Sequence, residues 1–368
     1  MVDVAVAGGG PAGALAALLL ARRGFAVTIV ERAGPGRRKV CGEYLNARAV
    51  ARLDALGLGD VARRCGTPLR GVRLQAAALP PIDLPLSGEA LACARERLDA
   101  ALLEAALAGG VQLVRARVDD VLRHEGRIVG LRARDRAGDA LAISARWTIG
   151  ADGAGSAVAL RAGLTRPMRG AGRFAIGGHY GGFSDVGERI EMYAGGGAYL
   201  ALNPLGGGIV NALLVAPKAQ LAGWSGDVDA GIAATSLRLS GGRRVLRAAH
   251  RIGPRVAIGP LSHAVHSCAA PGLLLAGDAA GLLDPFTGQG LALAITAAER
   301  AAAAIARAAA GARAEARAFA AYVRAQRRDV AVRGWVAGLV KGLIDAPPPA
   351  QRFAVALRVP ATVGRFVL

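Results

Sequence analysis

At 368 residues, 53% hydrophobic and 20% charged, the chain has the composition of a folded protein and excludes a disordered one. A formal net charge of +19 raises a nucleic-acid reading, but the charge is scattered arginine and aromatic residues are only 4%, so no basic stripe or stacking platform forms. No nucleic-acid partner is expected, while attraction to an anionic substrate, a carrier protein or a membrane surface stays open.

Val2–Ala7 is a short apolar run ending in glycines, the pattern of a buried parallel strand. Ala12–Arg23 follows as an Ala- and Leu-rich helix with Gly24 as its C-cap, and Ala26–Glu31 is the next strand. This βαβ opening accounts for the apolar start, which lacks the basic flank of a signal peptide. No run of about twenty apolar residues predicts a membrane-spanning helix. Asn46–Leu56 reads as a helix stopped by Gly57, and Arg95–Ala108 as an amphipathic helix closed by Gly109-Gly110.

Val118–His124, Arg127–Arg134 and Ala140–Arg146 alternate like a small antiparallel meander, and Trp147–Gly150 leads into a second glycine-rich turn. Short alternating stretches then predict an inserted antiparallel sheet that walls the substrate: Phe174–Tyr180, Arg189–Tyr193, Tyr199–Asn203 and Ile209–Leu214. Leu273–Gly277 returns to the parallel sheet. After Gly290 the chain is helical, with Pro347-Pro348-Pro349 as its main interruption. The apolar stretches Trp335–Ile344 and Phe353–Leu368 read as a helical cap, with membrane contact or a tunnel for a greasy substrate as the alternative. The four cysteines show no CxxC spacing, so no metal site or disulfide framework is expected, and a reducing cytoplasm fits best.

Gly8-Gly9-Gly10-Pro11-Ala12-Gly13 sits between a strand and a helix, with Glu31 and Arg32 ending the next strand. Glycines there let backbone approach a pyrophosphate whose charge meets the helix N-terminus, and Glu31 accepts from ribose hydroxyls. Two further segments carry the choice of dinucleotide. One is Ile149-Gly150-Ala151-Asp152-Gly153-Ala154-Gly155-Ser156. The other is Leu275-Ala276-Gly277-Asp278-Ala279-Ala280-Gly281 with Asp284-Pro285-Phe286-Thr287-Gly288-Gln289-Gly290. Together they resemble FAD enzymes of the p-hydroxybenzoate hydroxylase fold, especially the geranylgeranyl-reductase-like branch. The resemblance extends to about residue 308. It implies an α/β fold, with a Rossmann-type FAD-binding domain, an inserted antiparallel β-sheet substrate domain and C-terminal helices. The FAD domain is expected over 1–65, 93–165 and 255–310, the substrate domain over 66–92 and 166–254, and the helical segment over 311–368.

The resemblance also implies FAD contacts. Asp278 would hold the ribityl chain, and the turn through Pro285, Gly288, Gln289, Gly290 and Leu291 would start a helix aimed at the flavin pyrimidine edge. Arg95, opening Arg95-Glu96-Arg97-Leu98-Asp99, would touch FAD. Asp152, Gly153 and Gly277 join the same set. Arg38-Lys39-Val40-Cys41-Gly42-Glu43 is similar to a "K.CGE" loop beside the isoalloxazine, which makes Lys39, Cys41 and Gly42 cofactor contacts.

Three side chains are candidates for catalysis. Cys41 would donate a proton to a substrate carbon, the alternative being a small buried side chain in a tight loop. His179 would deprotonate a phenol, the alternative being a structural histidine; period-two alternation puts it on the face opposite Tyr180. Tyr199 lies on the expected substrate wall. The absence of a second complete GxGxxG makes NAD(P)H a transient reductant rather than a resident one. The reading that results is a monooxygenase acting on an electron-rich aromatic or polyketide-like substrate through a flavin C4a-hydroperoxide. Alternatives are a reductase of C=C bonds in a prenyl or lipid-like substrate, and a non-catalytic flavin-binding partner. Tyr199-Leu200-Ala201-Leu202-Asn203-Pro204 keeps only the ends of the reductase branch's "Y.W.FP" pocket signature, which leans away from prenyl saturation.

Overall fold

A computed structural model describes the chain except residues 35, 77–80, 168–171, 183–186, 223–226, 240–249, 262, 283–284 and 346–368. The expectations for Asp284, Pro347–Pro349 and Phe353–Leu368 lie outside the described residues.

The first sheet runs in the order Ala269–Ala270, Leu273–Leu275, Ala140–Gly150, Val2–Ala7, Val27–Val30, Gln112–Val114, parallel at every joint after the first. Val4 to Ala7 are fully buried, in contact with the helix Pro11–Ala21 and the meander strand Arg127–Arg134 as well as their sheet neighbours, so the strand reads as a continuous apolar run. The helix Pro11–Ala21 carries Pro11 in its first turn, where a missing N–H costs nothing. It is buried on all sides from Pro11 to Leu20, packed between the helices Arg95–Ala108 and Gly290–Ala308, and its alanines let the three approach. Asn46 caps the helix Ala47–Ala55 by accepting from the Ala49 amide at 3.0 Å.

Ala140–Gly150 is one strand rather than a meander arm plus a separate lead-in. Its exposed, alternating half pairs antiparallel with Arg127–Arg134. Its buried end, Trp147–Gly150, pairs parallel with Val2–Ala7. The change from alternating to continuous apolar sequence marks where the strand enters the core, not where it ends.

The second sheet is ordered His250–Ile258, Arg173–Gly181, Ile209–Pro217, Ala198–Gly206, Arg189–Gly195, Gly66–Ala76, Ile82–Cys93, Tyr44–Leu45. It is antiparallel except where Arg189–Gly195 runs parallel to Gly66–Ala76. Its strands thus reach from Tyr44 to Ile258, across the breaks expected at 65 and 255. On one face the helix Val228–Leu239 packs on Tyr193, Leu200 and Leu214. The other face packs Ala175, Tyr199 and Leu213 against Val40 and Phe286.

The helix Ala312–Asp345 closes the fold. Buried Glu315 anchors it, accepting both Arg127 guanidinium nitrogens (2.6 and 2.8 Å), the Trp147 indole N–H (2.8 Å) and the Gly272 amide (3.2 Å). Tyr322 adds a hydroxyl bond to the Leu275 carbonyl at 2.7 Å. No helix among the described residues is long and apolar enough to cross a membrane.

Candidate cofactor and active site

Where the carboxyl ends of the parallel strands meet the second sheet, the surface opens into a two-lobed cleft. One lobe encloses about 620 Å³ and the other about 1340 Å³, both open to solvent. Gly10, Lys39, Ala151 and Gly153 line both lobes, so the two form one continuous trough. This is the crevice where open α/β sheets take their ligands.

The smaller lobe is built from the first glycine turn. Glu31 folds back over it, accepting from the Gly9 amide at 2.8 Å and the Ala33 amide at 2.7 Å. Gly10 has open space where a Cβ would point, which leaves its backbone accessible to a ligand. Gly13 does a different job: a Cβ there would overlap the Gly8 carbonyl oxygen, so its absence lets the helix start press against the strand end. Asp152 lines this lobe and also ties its own turn together, accepting from Ser156 Oγ at 2.5 Å and the Val158 amide at 3.2 Å. Arg32 is exposed and lines neither lobe.

The larger lobe gathers Pro11, Ala12, Gly277, Asp278 and Arg95 with the turn Pro285 to Leu291. Asp278 is one-third exposed and sits 3.5 Å from Lys39 Nζ, in position to meet ribityl hydroxyls. The helix Gly290–Ala308 begins at the lobe, its N-cap Gln289 making no side-chain bond to the first turn, so the positive end of the dipole faces the trough. A trough with glycine backbone at one end, an acidic side chain at the middle and a helix start at the other matches the chemical order of FAD. The residues present fit the cofactor.

Above the larger lobe lies the Lys39–Tyr44 loop, and here the structure shows what residue order alone did not. Glu43, at φ 57°, is buried, and its carboxylate accepts from the Arg95 amide at 2.9 Å while Oε2 lies 2.8 Å from His179 Nε2. Asn203 Nδ2 donates to the Gly42 and Glu43 carbonyls (2.9 and 2.8 Å), and Asn211 Nδ2 donates to the Cys41 carbonyl (2.8 Å). His179 and Asn203, expected on the substrate wall, instead grip this loop and do not line the cleft. Tyr180 points the other way, donating to Asp229 at 3.0 Å, as the alternation requires. Tyr199 is buried against the ring of Phe286, edge-on at 4.9 Å, and does not line the cleft.

Cys41 does line it, half-buried, and its sulfur accepts from the Glu43 amide at 3.3 Å. Arg95 is buried at the same point, pairing with Asp99 at 2.7 and 2.8 Å and reaching Cys41. Burial alone would ease the guanidinium toward neutrality, but Asp99 and Cys41 outweigh it and keep the charge firmly in place. Tyr44 is buried against Gly288, and that burial pushes its phenol above the ordinary range.

A profile of the family described as "FAD binding domain" matches residues 1–333. The chain is an FAD-dependent oxidoreductase of that family. It is 31% identical over 310 residues to a digeranylgeranylglycerophospholipid reductase of Methanothrix thermoacetophila, covering 80% of this chain and 75% of the relative. It is 30% identical over 334 residues to Protein FixC of Escherichia coli, covering 82% and 75%. Among solved structures, the flavin-dependent brominase Bmp2 superposes with a TM-score of 0.86 at 21% identity over 100% of this chain and 93% of that one. A geranylgeranyl bacteriochlorophyll reductase-like protein of Thermoplasma acidophilum gives 0.79 at 22%, over 93% and 87%. The two structural likenesses establish the p-hydroxybenzoate hydroxylase fold that the three glycine segments imply.

Proposed function

We propose that this oxidoreductase is a reductase that saturates a C=C bond in an apolar, prenyl-like substrate. The observation that carries this reading is the pairing of Cys41 with Arg95 on a lobe whose other walls include Val40, Leu282, Leu293, Ala297 and Val330. FAD held in the trough, once reduced, would supply the hydride for one carbon of the double bond. Cys41 Sγ gives its proton to the neighbouring carbon, and the thiolate left behind sits beside the Arg95 guanidinium until water returns a proton. The apolar walls orient the chain of the substrate and keep water from the reacting carbons. NAD(P)H, entering transiently, is the proposed reductant. Similarity to a lipid reductase over 80% of the chain supports the same reading.

The monooxygenase reading ranks second. It needs a base for a phenol, and His179 is committed to Glu43. The helix start at Gly290 suits negative charge on a reduced flavin in either chemistry. Mass analysis of products formed with NAD(P)H from a panel of polyprenyl compounds and phenols decides between them. A product that gains two hydrogens is expected; a product that gains one oxygen refutes the reductase.

A further inference from the structure

We infer that His179, Glu43, Asn203 and Asn211 are positioning residues for the isoalloxazine half of FAD, so that the inserted sheet builds part of the cofactor site instead of serving the substrate alone. The Cys41, Gly42 and Glu43 carbonyls each accept from a side chain of that sheet or, for Glu43, also from the Cys93 amide at 2.8 Å. Among the described residues, none of these carbonyls accepts from the parallel sheet that carries the glycine turn. The backbone path of Cys41 to Glu43 therefore depends on the second sheet, while the Glu43 carboxylate ties the same loop to the helix Arg95–Ala108.

Glu43 is the joint. Its left-handed backbone turns the loop over the larger lobe, and its buried carboxylate spans two elements that are distant in sequence. One oxygen takes the amide that starts the helix Arg95–Ala108, and the other meets His179 on the strand Arg173–Gly181. A carboxylate enclosed in this way keeps its place only while both partners are present. Through the Glu43 amide the same joint fixes Cys41 Sγ, and through Arg95 it fixes the charge beside it.

The two lobes make the inference testable. Cys41, Gly42, Glu43 and Tyr44 line the larger lobe and none of them lines the smaller one. Loosening the loop should weaken a ligand that fills both lobes and spare one that fills only the smaller. The inference rests on FAD lying along the trough and is independent of which substrate is turned over.

The experiment titrates the deflavinated full-length chain with FAD and, separately, with ADP. In His179→Leu the FAD affinity should fall about tenfold, the effect of one lost hydrogen bond to a buried charged group, while ADP binds as in the parent. His179→Gln, whose amide can still donate to Glu43, should restore most of the FAD affinity. Asn211→Leu, which removes only the bond to the Cys41 carbonyl, should show the same split and serves as the test if His179→Leu does not fold. Unchanged FAD affinity in a folded variant overturns the inference. So does an equal loss of FAD and ADP, which would mean a general weakening of the fold.

Discussion

Replacing Glu315 by Ala should destabilise the protein by about 2–4 kcal/mol, because one buried carboxylate satisfies four N–H donors from three residues. The Trp147 indole, 1% exposed, and the Gly272 amide lose their acceptor with no water to replace it, at about 1–2 kcal/mol each. Arg127 keeps a side chain 35% exposed, so it can turn to solvent and adds little. Glu315→Gln retains one acceptor oxygen but sets an amide N–H against Arg127, and should cost about half as much. Burial opposes ionisation of Glu315, yet Arg127 and Trp147 outweigh it and hold the carboxyl below the ordinary range. A depressed folded value means this stabilisation is complete above the unfolded carboxylate value, about 4.3, and is lost as pH falls through the lower folded value.

Urea unfolding of parent and Glu315→Gln at pH 7, 4 and 3 reads both effects. The gap between the two should be widest at pH 7 and close toward pH 3. A variant within about 0.5 kcal/mol of the parent at pH 7, or a gap that ignores pH, would refute the reasoning. The consequence for the site is direct, since the anchored helix brings Gln326 and Val330 to the wall of the larger lobe.

Three further outcomes follow from the cleft. Cys41→Ser should slow substrate reduction about 10²–10⁴-fold with flavin content unchanged, as expected for loss of a proton donor, and rapid-reaction kinetics would check it. Asp278→Ala should weaken FAD by about 1.5–3 kcal/mol, read by flavin released on gel filtration; full retention would remove Asp278 from the ribityl contacts. Gly13→Ala sets a Cβ against the Gly8 carbonyl and within 3.3 Å of the Ala151 side chain. It should cost both FAD and melting temperature, whereas a normal melt with normal flavin would show that the helix start has room to spare.

Much of the fold was legible because its elements obey local rules. Val2–Ala7, Pro11–Ala21 and Arg95–Ala108 follow their periodicity and punctuation almost to the residue. Gly66–Ala76 and Ile82–Cys93 were not individually visible: Pro68 and Pro85 lie within them, and tertiary pairing overrides the breaker signal. The trough was legible for the same reason the family is, since glycine turns at three strand ends have few other uses.

The grip on the Lys39–Tyr44 loop was hidden for a different reason. His179, Asn203 and Asn211 sit on neighbouring strands, and alternation fixes which face they share without saying what stands opposite. Glu43 gave no local signal, because a carboxylate after a Cys-Gly pair reads as surface until its partners 52 and 136 residues away are known. The charge of the motif was visible; its burial was not.

The most direct test of the account is an anaerobic single turnover. The holoenzyme is reduced with one equivalent of NAD(P)H and mixed, without oxygen, with a polyprenyl substrate, while the flavin absorbance is followed. The account predicts that the flavin reoxidises and that the product carries two added hydrogens. A flavin that stays reduced with every such substrate until oxygen is admitted, and then yields an oxygenated product, would contradict it.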